Sequence, residues 1–382
     1  MPNRRWFRLI GLSILFILLL GGCSFDTIQS ALDPQAPIPR AQHDLLIWVS
    51  WLSLIVILGV GGVLFVSLIR FRAKANDDRI PTQSHGNTAL EIGLIALATV
   101  ITILVVVPSV RTIFKTEGRI QAEDITADDI IVNVTGYQWW WAFDYPDLGI
   151  TTANELHIPK GKRVILNLAS ADVLHSFWVP KLSGKRDLIP NQDNQLWFVT
   201  DENTPEGVYY GQCAELCLGA HAYMRFRVIV DSEADFATWI DKFQSIAPLQ
   251  ASTQASVQLV QVDPQIEQGK LLFKQKGCGA CHAIKGYSGG APDKPNLTNF
   301  GLRNSLAAGV LEMPADDLEL KKEHLMRWLR DPQEVKPTNR MPTLWAQDDP
   351  KADEEIAAIA AYLLSLGNEA ETQASVGGNY GN

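Results

Sequence analysis

Cys213-Ala-Glu-Leu-Cys217-Leu-Gly-Ala-His221-Ala-Tyr-Met224 is the stretch on which the reading of the chain turns. It sets two thiols, one imidazole and one thioether within twelve residues. A second histidine stands upstream, in Ala171-Asp-Val-Leu-His175-Ser-Phe-Trp178. Thiolate and thioether sulfur favour copper over hard ions, and imidazole suits it too. Two cysteines that bridge two copper ions, with one histidine on each ion, form a compact electron-transfer centre. Met224 can supply a weak further ligand to one copper, and the backbone carbonyl of Glu215 can do the same for the other. A Cys213–Cys217 disulfide is the plainer alternative for an exported chain, but it needs neither histidine nor the methionine. A mononuclear copper site needs one cysteine and leaves the second unexplained.

The segments around this stretch have strand character. Ile130 to Thr135, Arg163 to Leu168, Leu196 to Val199 and Met224 to Val230 read as strands, and Pro159-Lys-Gly and Pro205-Glu-Gly punctuate them as turns. Repeated short strands of this kind predict a β-sandwich or barrel. The final strand starts right after the ligand loop, so the ligands should sit on loops at one end of a rigid support. Gly136-Tyr-Gln-Trp139-Trp140-Trp141-Ala-Phe143-Asp-Tyr145 is unusually aromatic. Strand alternation would bury only one set of those rings.

Over about residues 25 to 240 the chain resembles cytochrome c oxidase subunit II, the copper A subunit. His175, Cys213, Glu215, Cys217, His221 and Met224 match the family's copper ligand positions in order. The resemblance implies a cupredoxin-like Greek-key sandwich over 120–243. It implies that electrons are received at Trp139, which matches the family's exposed tryptophan, with Trp141 as a second aromatic member of that motif. It also implies that the Glu215 carboxylate binds a magnesium or manganese ion shared with subunit I; Mg²⁺ retains waters, so one carboxylate from this chain suffices. Asp172 is placed to orient a histidine. Lys185-Arg186-Asp187-Leu-Ile-Pro190 resembles the loop that docks on subunit I, and Asn191 stands where many relatives have glycine.

The amino-terminal part is apolar. Arg4, Arg5 and Arg8 precede an apolar run from Leu9 to Leu20, and Leu20-Gly21-Gly22-Cys23 resembles a bacterial lipobox. Residues 1–22 are therefore expected as a lipoprotein signal peptide and Cys23 as the lipidated residue, with an external lead-in over 23–44. A short uncleaved helix is the alternative, and its apolar length is marginal for that. Residues 45–69 and 88–108 are each long enough, at about 1.5 Å per residue, to cross a hydrocarbon core of roughly 30 Å. The basic loop 70–87, with Arg70, Arg72, Lys74 and Arg79, prefers the cytoplasmic face. The resulting hairpin puts both long ends outside the cytoplasm of a bacterial membrane. Glu91 lies near the cytoplasmic start of the second span, where a carboxylate needs water or a partner. It resembles the glutamate at the entrance to a proton path into subunit I, although Ile92-Gly93-Leu94 departs from the family pattern; an interfacial anchor is the alternative.

Residues 244–262 contain an alanine-, serine- and glutamine-rich linker. Beyond it stands Cys278-Gly-Ala-Cys281-His282. The two thiols at that spacing can form thioethers with haem vinyl groups, and the adjacent histidine can bind the iron. A zinc knuckle would want more nearby ligands, and a redox dithiol does not need His282. Residues 263–368 resemble an all-α class I cytochrome c domain, with Arg340-Met341-Pro342 as its distal loop and Met341 as the sixth iron ligand. Met313, also followed by proline, is the rival. Gly269, Phe273 and Tyr362 are read as packing the terminal helices, and 369–382 as a disordered tail.

The fold expected is thus multidomain: a two-helix transmembrane hairpin, a cupredoxin-like β-sandwich and an all-α cytochrome c domain. The resemblance implies a respiratory redox subunit of the caa type that holds dinuclear copper A and one covalent haem c. It would pass electrons from a soluble cytochrome c or small copper protein to haem a of subunit I, beside subunit III, for oxygen reduction coupled to proton pumping. A net charge of -9 argues against nucleic acid as a partner. A quinol-oxidase subunit II without copper would leave the ligand set unused. A nitrous oxide reductase would need a catalytic domain for which 382 residues leave no room. A free-standing membrane electron carrier stays open at this stage.

Overall fold

The structure, a computed structural model, describes residues 27–72, 86–244 and 263–367. The signal peptide, Cys23, most of the 70–87 loop, nearly all of the linker and the tail lie outside the described residues. Two long helices come first, α1 (Pro37–Arg70) and α2 (Thr88–Thr116). Both contain a window of mean hydropathy 2.7, with none of that window buried in the protein. Leucine, isoleucine and valine side chains facing outward over such lengths need lipid or a protein partner to cover them. Each helix extends past its apolar stretch. α1 begins at Pro37, and its polar first turns carry Arg40, which pairs with Asp201 at 2.9 Å. α2 runs through Pro108 to Thr116; proline inside a membrane helix is tolerated when neighbouring groups satisfy the freed carbonyl. Lys181–Asp33 at 2.6 Å and the Arg186–Glu117 pair further join the hairpin to the domain above it.

That domain is a sandwich of two five-stranded sheets. The first contains β1 (Ile130–Tyr137), β2 (Trp140–Tyr145), β3 (Ile150–Ala153), β5 (Arg163–Ser170) and β8 (Asn194–Val199), in the order β3-β2-β1-β5-β8. The second contains β4 (Glu155–Pro159), β6 (His175–Trp178), β7 (Lys185–Leu188), β9 (Gly207–Cys213) and β10 (Arg225–Asp231), in the order β4-β10-β9-β6-β7. β1 pairs parallel with β5, and β4 parallel with β10, so the sheets are joined by crossovers rather than hairpins alone. Alternation buries Val132, Val134, Trp141, Phe143 and Tyr145 against Phe177, Phe226 and Val228. Helix α3 (Glu233–Gln244) closes the domain by laying Trp239 on Tyr145 and His157.

The carboxyl-terminal domain is built from α4 (Pro264–Gln275), α5 (Cys278–Cys281), α6 (Leu318–Arg330), α7 (Pro332–Val335) and α8 (Ala352–Ser365). α4 crosses α8 at Gly269, where an added Cβ would come 1.9 Å from the Ala358 carbonyl oxygen. Phe273 packs edge-on to Tyr362 beside that crossing, at 5.7 Å between centroids. A backbone atom cannot step aside as a flexible side chain can. We therefore expect Gly269→Ala to destabilise this domain by about 3 kcal/mol, near the upper end of ordinary overpacking. An unchanged denaturant midpoint for the haem-linked transition would contradict this account of the crossing.

The two domains touch through polar groups. Arg227, on β10, donates to Gly309 O at 2.7 Å and to Glu312 Oε1 at 2.6 Å. Glu155, on β4, accepts from Ser305 Oγ at 2.7 Å and from Asn304 N at 2.9 Å. Trp140 Nε1 donates to Asp293 O at 3.2 Å.

Candidate metal centre and haem cleft

The copper-type ligands converge because β9 ends at Cys213 and β10 begins at Arg225, leaving the ligand loop at the strand ends. β6 lies beside β9 with Phe177 opposite Cys213, which brings His175 in from a distant part of the chain. Cys213 N donates to Met224 O and Ala214 N to Ser176 O, both at 2.9 Å, closing the loop onto the sheet. Cys213 Sγ lies 3.9 Å from His175 Nδ1, and Cys217 Sγ lies 3.5 Å from His221 Nδ1. Met224 Sδ is 3.8 Å from Cys217 Sγ, and Glu215 O is 3.2 Å from Cys213 Sγ. All six expected ligands are therefore in one cluster, with each thiol next to its own imidazole. The two sulfurs are 4.0 Å apart. A disulfide requires about 2.05 Å, so the two thiols are free.

The electrostatics of the cluster ask for cations. The hydrogen bond from Cys217, reinforced by His175, lowers the pKa of the Cys213 thiol despite its burial. The same Cys213 contact, together with burial, pushes Cys217 up. One thiol ionises readily and the second needs a positive charge beside it, which a bound metal ion provides. Burial works against a charged His175, yet hydrogen bonds with Cys213 and Asp172 outweigh it and raise its pKa. Asp172 Oδ1 accepts from His175 Nε2 at 2.8 Å, which leaves Nδ1 facing Cys213. Burial also works to raise Asp172, but the Gln138 N–H, His175 and the Val173 N–H hold it below the usual carboxylate range. The donor set fits copper: soft sulfur, imidazole nitrogen and one carbonyl, all aimed at the same dry space.

The second site is a cleft in the helical domain. Cys278, Cys281, His282 and Met341 line it with Leu297, Phe300 and other apolar side chains. With the solvent at its mouth it measures about 1120 Å³. His282 Nδ1 donates to Pro295 O at 2.9 Å, so Nε2 keeps its lone pair for iron. Burial lowers the His282 pKa and favours that neutral form. Two thiols, a neutral imidazole and a thioether around an apolar slot fit a covalent haem. Met341 is held in place by Asn339 Oδ1, which accepts from its N–H at 2.6 Å, and by Gln333 Nε2, which donates to its carbonyl at 3.0 Å. Met313 is fully buried in the helical core and does not line the cleft.

The two sites face each other. Gln138, Trp139 and Trp140 line the mouth of the helical-domain cleft. Trp139 Nε1 and Gln138 Nε2 both donate to Cys217 O, at 3.0 and 2.9 Å. From the other domain, Arg340 lies 5.7 Å from the Trp139 ring centroid and donates to Gln138 Oε1 at 2.7 Å. Lys336 Nζ donates to Trp139 O at 2.6 Å. Burial pushes the Lys336 ammonium down to about 7. Gly219, at φ +41°, allows the Trp139 ring to close on the loop; a Cβ there would sit 2.2 Å from the ring.

The structure places the other expected residues as follows. Trp139 is half-buried rather than exposed, because the carboxyl-terminal domain covers it. Trp141 is fully buried; it packs edge-on to His175 at 6.1 Å and on Phe226 at 5.2 Å. Lys185 to Leu188 form a strand paired with β6, not a loop, and the turn after it survives because Asn191 takes the left-handed conformation at φ 60°. The Glu215 side chain is half-buried, and His175, Cys213 and Cys217 bring their ligating atoms within 4.8 Å of one another. Glu91 sits exposed in the first turn of α2, one turn after the Asn87 cap. Gln138 and Lys336 were missed by the sequence reading. Gln138's position beside Trp139 was a usable signal, whereas a lone lysine gives none.

Comparison with known proteins agrees with this geometry. The family described as cytochrome c oxidase subunit II, periplasmic domain, matches residues 148–232. The family described as cytochrome c matches residues 266–367. Cytochrome c oxidase subunit 2 of Alkalihalophilus pseudofirmus is 35% identical over 359 residues, covering 94% of this chain and 96% of that protein. The protein of the same name from Bacillus sp. PS3 is 34% identical, covering 95% and 98%. A quinol oxidase subunit 2 of Bacillus cereus is 34% identical over 239 residues, which is 62% of this chain and 80% of the relative. The solved periplasmic domain of subunit II of cytochrome oxidase from Bradyrhizobium japonicum is 30% identical, covers 32% of this chain and 97% of its own, and superposes with a TM-score of 0.30. On its sulfur-and-imidazole cluster, its CxxCH cleft and its full-length relatives, this chain belongs to the cytochrome c oxidase subunit 2 family.

Proposed function

We propose that this chain is the electron-accepting subunit of a membrane-bound haem-copper oxidase and that Trp139 is the group through which its two redox sites communicate. Copper A and haem c, when bound, supply reversible one-electron carriers that serve haem a of subunit I, where oxygen is reduced to water. His175, Cys213, Cys217, His221, Met224 and the Glu215 carbonyl would hold the coppers. Cys278 and Cys281 would hold the haem by thioethers, with His282 and Met341 on the iron. The chain's own work is to keep these donors fixed, dry and close. Asp172 orients His175, and the Pro295 carbonyl orients His282. Burial of Trp141 behind His175 makes the copper pocket rigid, so its donors move little when the charge changes.

The observation that carries the reading is the double role of Trp139. It lines the haem cleft, and its indole N–H holds the carbonyl of a copper ligand. Trp139→Phe removes that hydrogen bond and the N–H-bearing half of the indole, and leaves every metal donor in place. We expect full copper and haem content, with transfer into copper slowed at least about tenfold, as small misplacements at reacting centres commonly produce. Stopped-flow reduction at the normal rate would sink this assignment. Slowing accompanied by copper loss would assign Trp139 to the structure of the site instead.

The remaining roles follow the resemblance. The Glu215 carboxylate would join a magnesium or manganese ion at the boundary with subunit I. Glu91 would sit near the cytoplasmic opening of a proton path. The basic residues at the end of α1, Arg70 and Arg72, support a cytoplasmic hairpin loop, with the copper and haem domains on the outer face of a bacterial cytoplasmic membrane. A soluble cytochrome c or small copper protein would be the donor, and subunit III a neighbour. Copurification with a haem a subunit and oxygen consumption separate this assembly from a free-standing carrier; a purified chain with neither would leave only the carrier.

A further inference from the structure

Lys336 is poorly explained by the haem fold alone. It is only 4% exposed, yet both its hydrogen-bond acceptors are main-chain carbonyls, Trp139 O at 2.6 Å and Ala307 O at 3.4 Å. It makes no salt bridge among the described residues. Taking an ammonium out of water costs several kcal/mol even after relaxation. Charge-assisted hydrogen bonds offset part of that, and they do so only where the carbonyls are held in place. The nearer carbonyl belongs to the other domain.

The contact has a companion. Arg340, in the same loop and adjacent to Met341, donates to Gln138 Oε1 at 2.7 Å. One loop of the haem domain therefore grips two successive residues of the copper domain. Those two residues are the ones that donate to Cys217 O. Arg340 is exposed, so its bond is weakened by solvent and salt. Lys336 is shielded from both, and of the two cations it sets the geometry.

We propose that Lys336 is a positioning residue: it fixes the Trp139 main chain across the domain boundary, and with it the indole that holds the copper ligand Cys217. The proposal rests on Trp139 being the route between the sites. It adds that the haem domain itself holds the copper-side bridge in register.

The test uses the full detergent-solubilised chain with both groups bound. Haem c is reduced by a photoexcited dye, and its reoxidation by copper is followed. Lys336→Met keeps the unbranched four-atom stem of the side chain and removes the donor. We expect reoxidation to slow at least about tenfold, with the copper spectrum and the methionine–iron band unchanged. Amide hydrogen exchange over residues 137–141 should rise in the same variant, also in the metal-free chain. Lys336→Arg restores a cationic donor and should keep the rate within about threefold of the parent. A Lys336→Met protein with parental rate, or with parental exchange over 137–141, overturns the proposal. So does loss of the copper spectrum or the methionine–iron band, which would give Lys336 a general structural role. A tenfold loss in Lys336→Arg with normal exchange also counts against it. If Trp139→Phe transfers electrons normally, the route fails, while the exchange result for Lys336→Met still reports whether the contact holds the segment.

Discussion

Replacing Cys213 or Cys217 by serine is expected to abolish the mixed-valence copper signal and leave haem attachment intact. Each sulfur stands next to a different imidazole, at 3.9 and 3.5 Å, while the two sulfurs face each other at 4.0 Å. Removing either leaves no pair of soft anionic bridges. A serine hydroxyl is harder than a thiolate and does not ionise in the accessible pH range. Loss of an outer-shell partner alone commonly costs about 10- to 100-fold in metal affinity, so loss of a bridging ligand should exceed that range. The haem cysteines lie in another domain with its own core, so the pigment should still survive denaturation as a covalent adduct. Metal analysis and electron paramagnetic resonance decide the matter. A serine variant that retains two coppers and the mixed-valence spectrum would remove the bridging assignment; one copper, or zinc, in the parent protein would do the same.

The second large effect is expected at the iron. Met341→Ala should keep the covalent haem, because Cys278, Cys281 and His282 remain. It should lose the absorption band of methionine bound to ferric iron. The haem potential should fall, since a sulfur ligand stabilises ferrous iron relative to water or hydroxide. Electrons would then rest more readily on copper, and oxygen consumption driven through the haem should slow. Met313→Ala is the matched control. Met313 is fully buried in the helical core, so that change should lower stability by about 2–5 kcal/mol and leave the sulfur-ligated spectrum in place. The reverse pattern would move the distal ligand to Met313, and retention of the band in both variants would exclude both methionines.

What the sequence disclosed was chemistry packed into short segments. Cys213 to Met224 and Cys278 to His282 place their donors within one loop or one helical turn, so spacing alone narrows the metal. His175 was legible as a candidate, but its proximity to Cys213 was not, because that depends on β6 pairing with β9. Which ring of the aromatic run is covered was not legible: the run alone does not say that Trp141 is the one the sandwich buries. The polar groups at the domain boundary were invisible for a related reason. Arg227, Glu155 and Lys336 look in sequence like surface charges, yet each is buried and bonds to a partner in the other domain. Burial of that kind depends on docking, which no local pattern records.

That boundary can also be considered as an equilibrium. Its polar contacts are each worth about 1 kcal/mol net, or somewhat more where charged. Such a sum is modest for two separate proteins meeting from solution. Here both partners belong to one polypeptide, and a short tether gives an effective concentration on the order of millimolar. At that concentration modest contacts would suffice to hold the haem cleft against Trp139. Any separate protein competing for the copper face would have no such tether in its favour, so the built-in cytochrome would hold that face by mass action rather than by strength of binding.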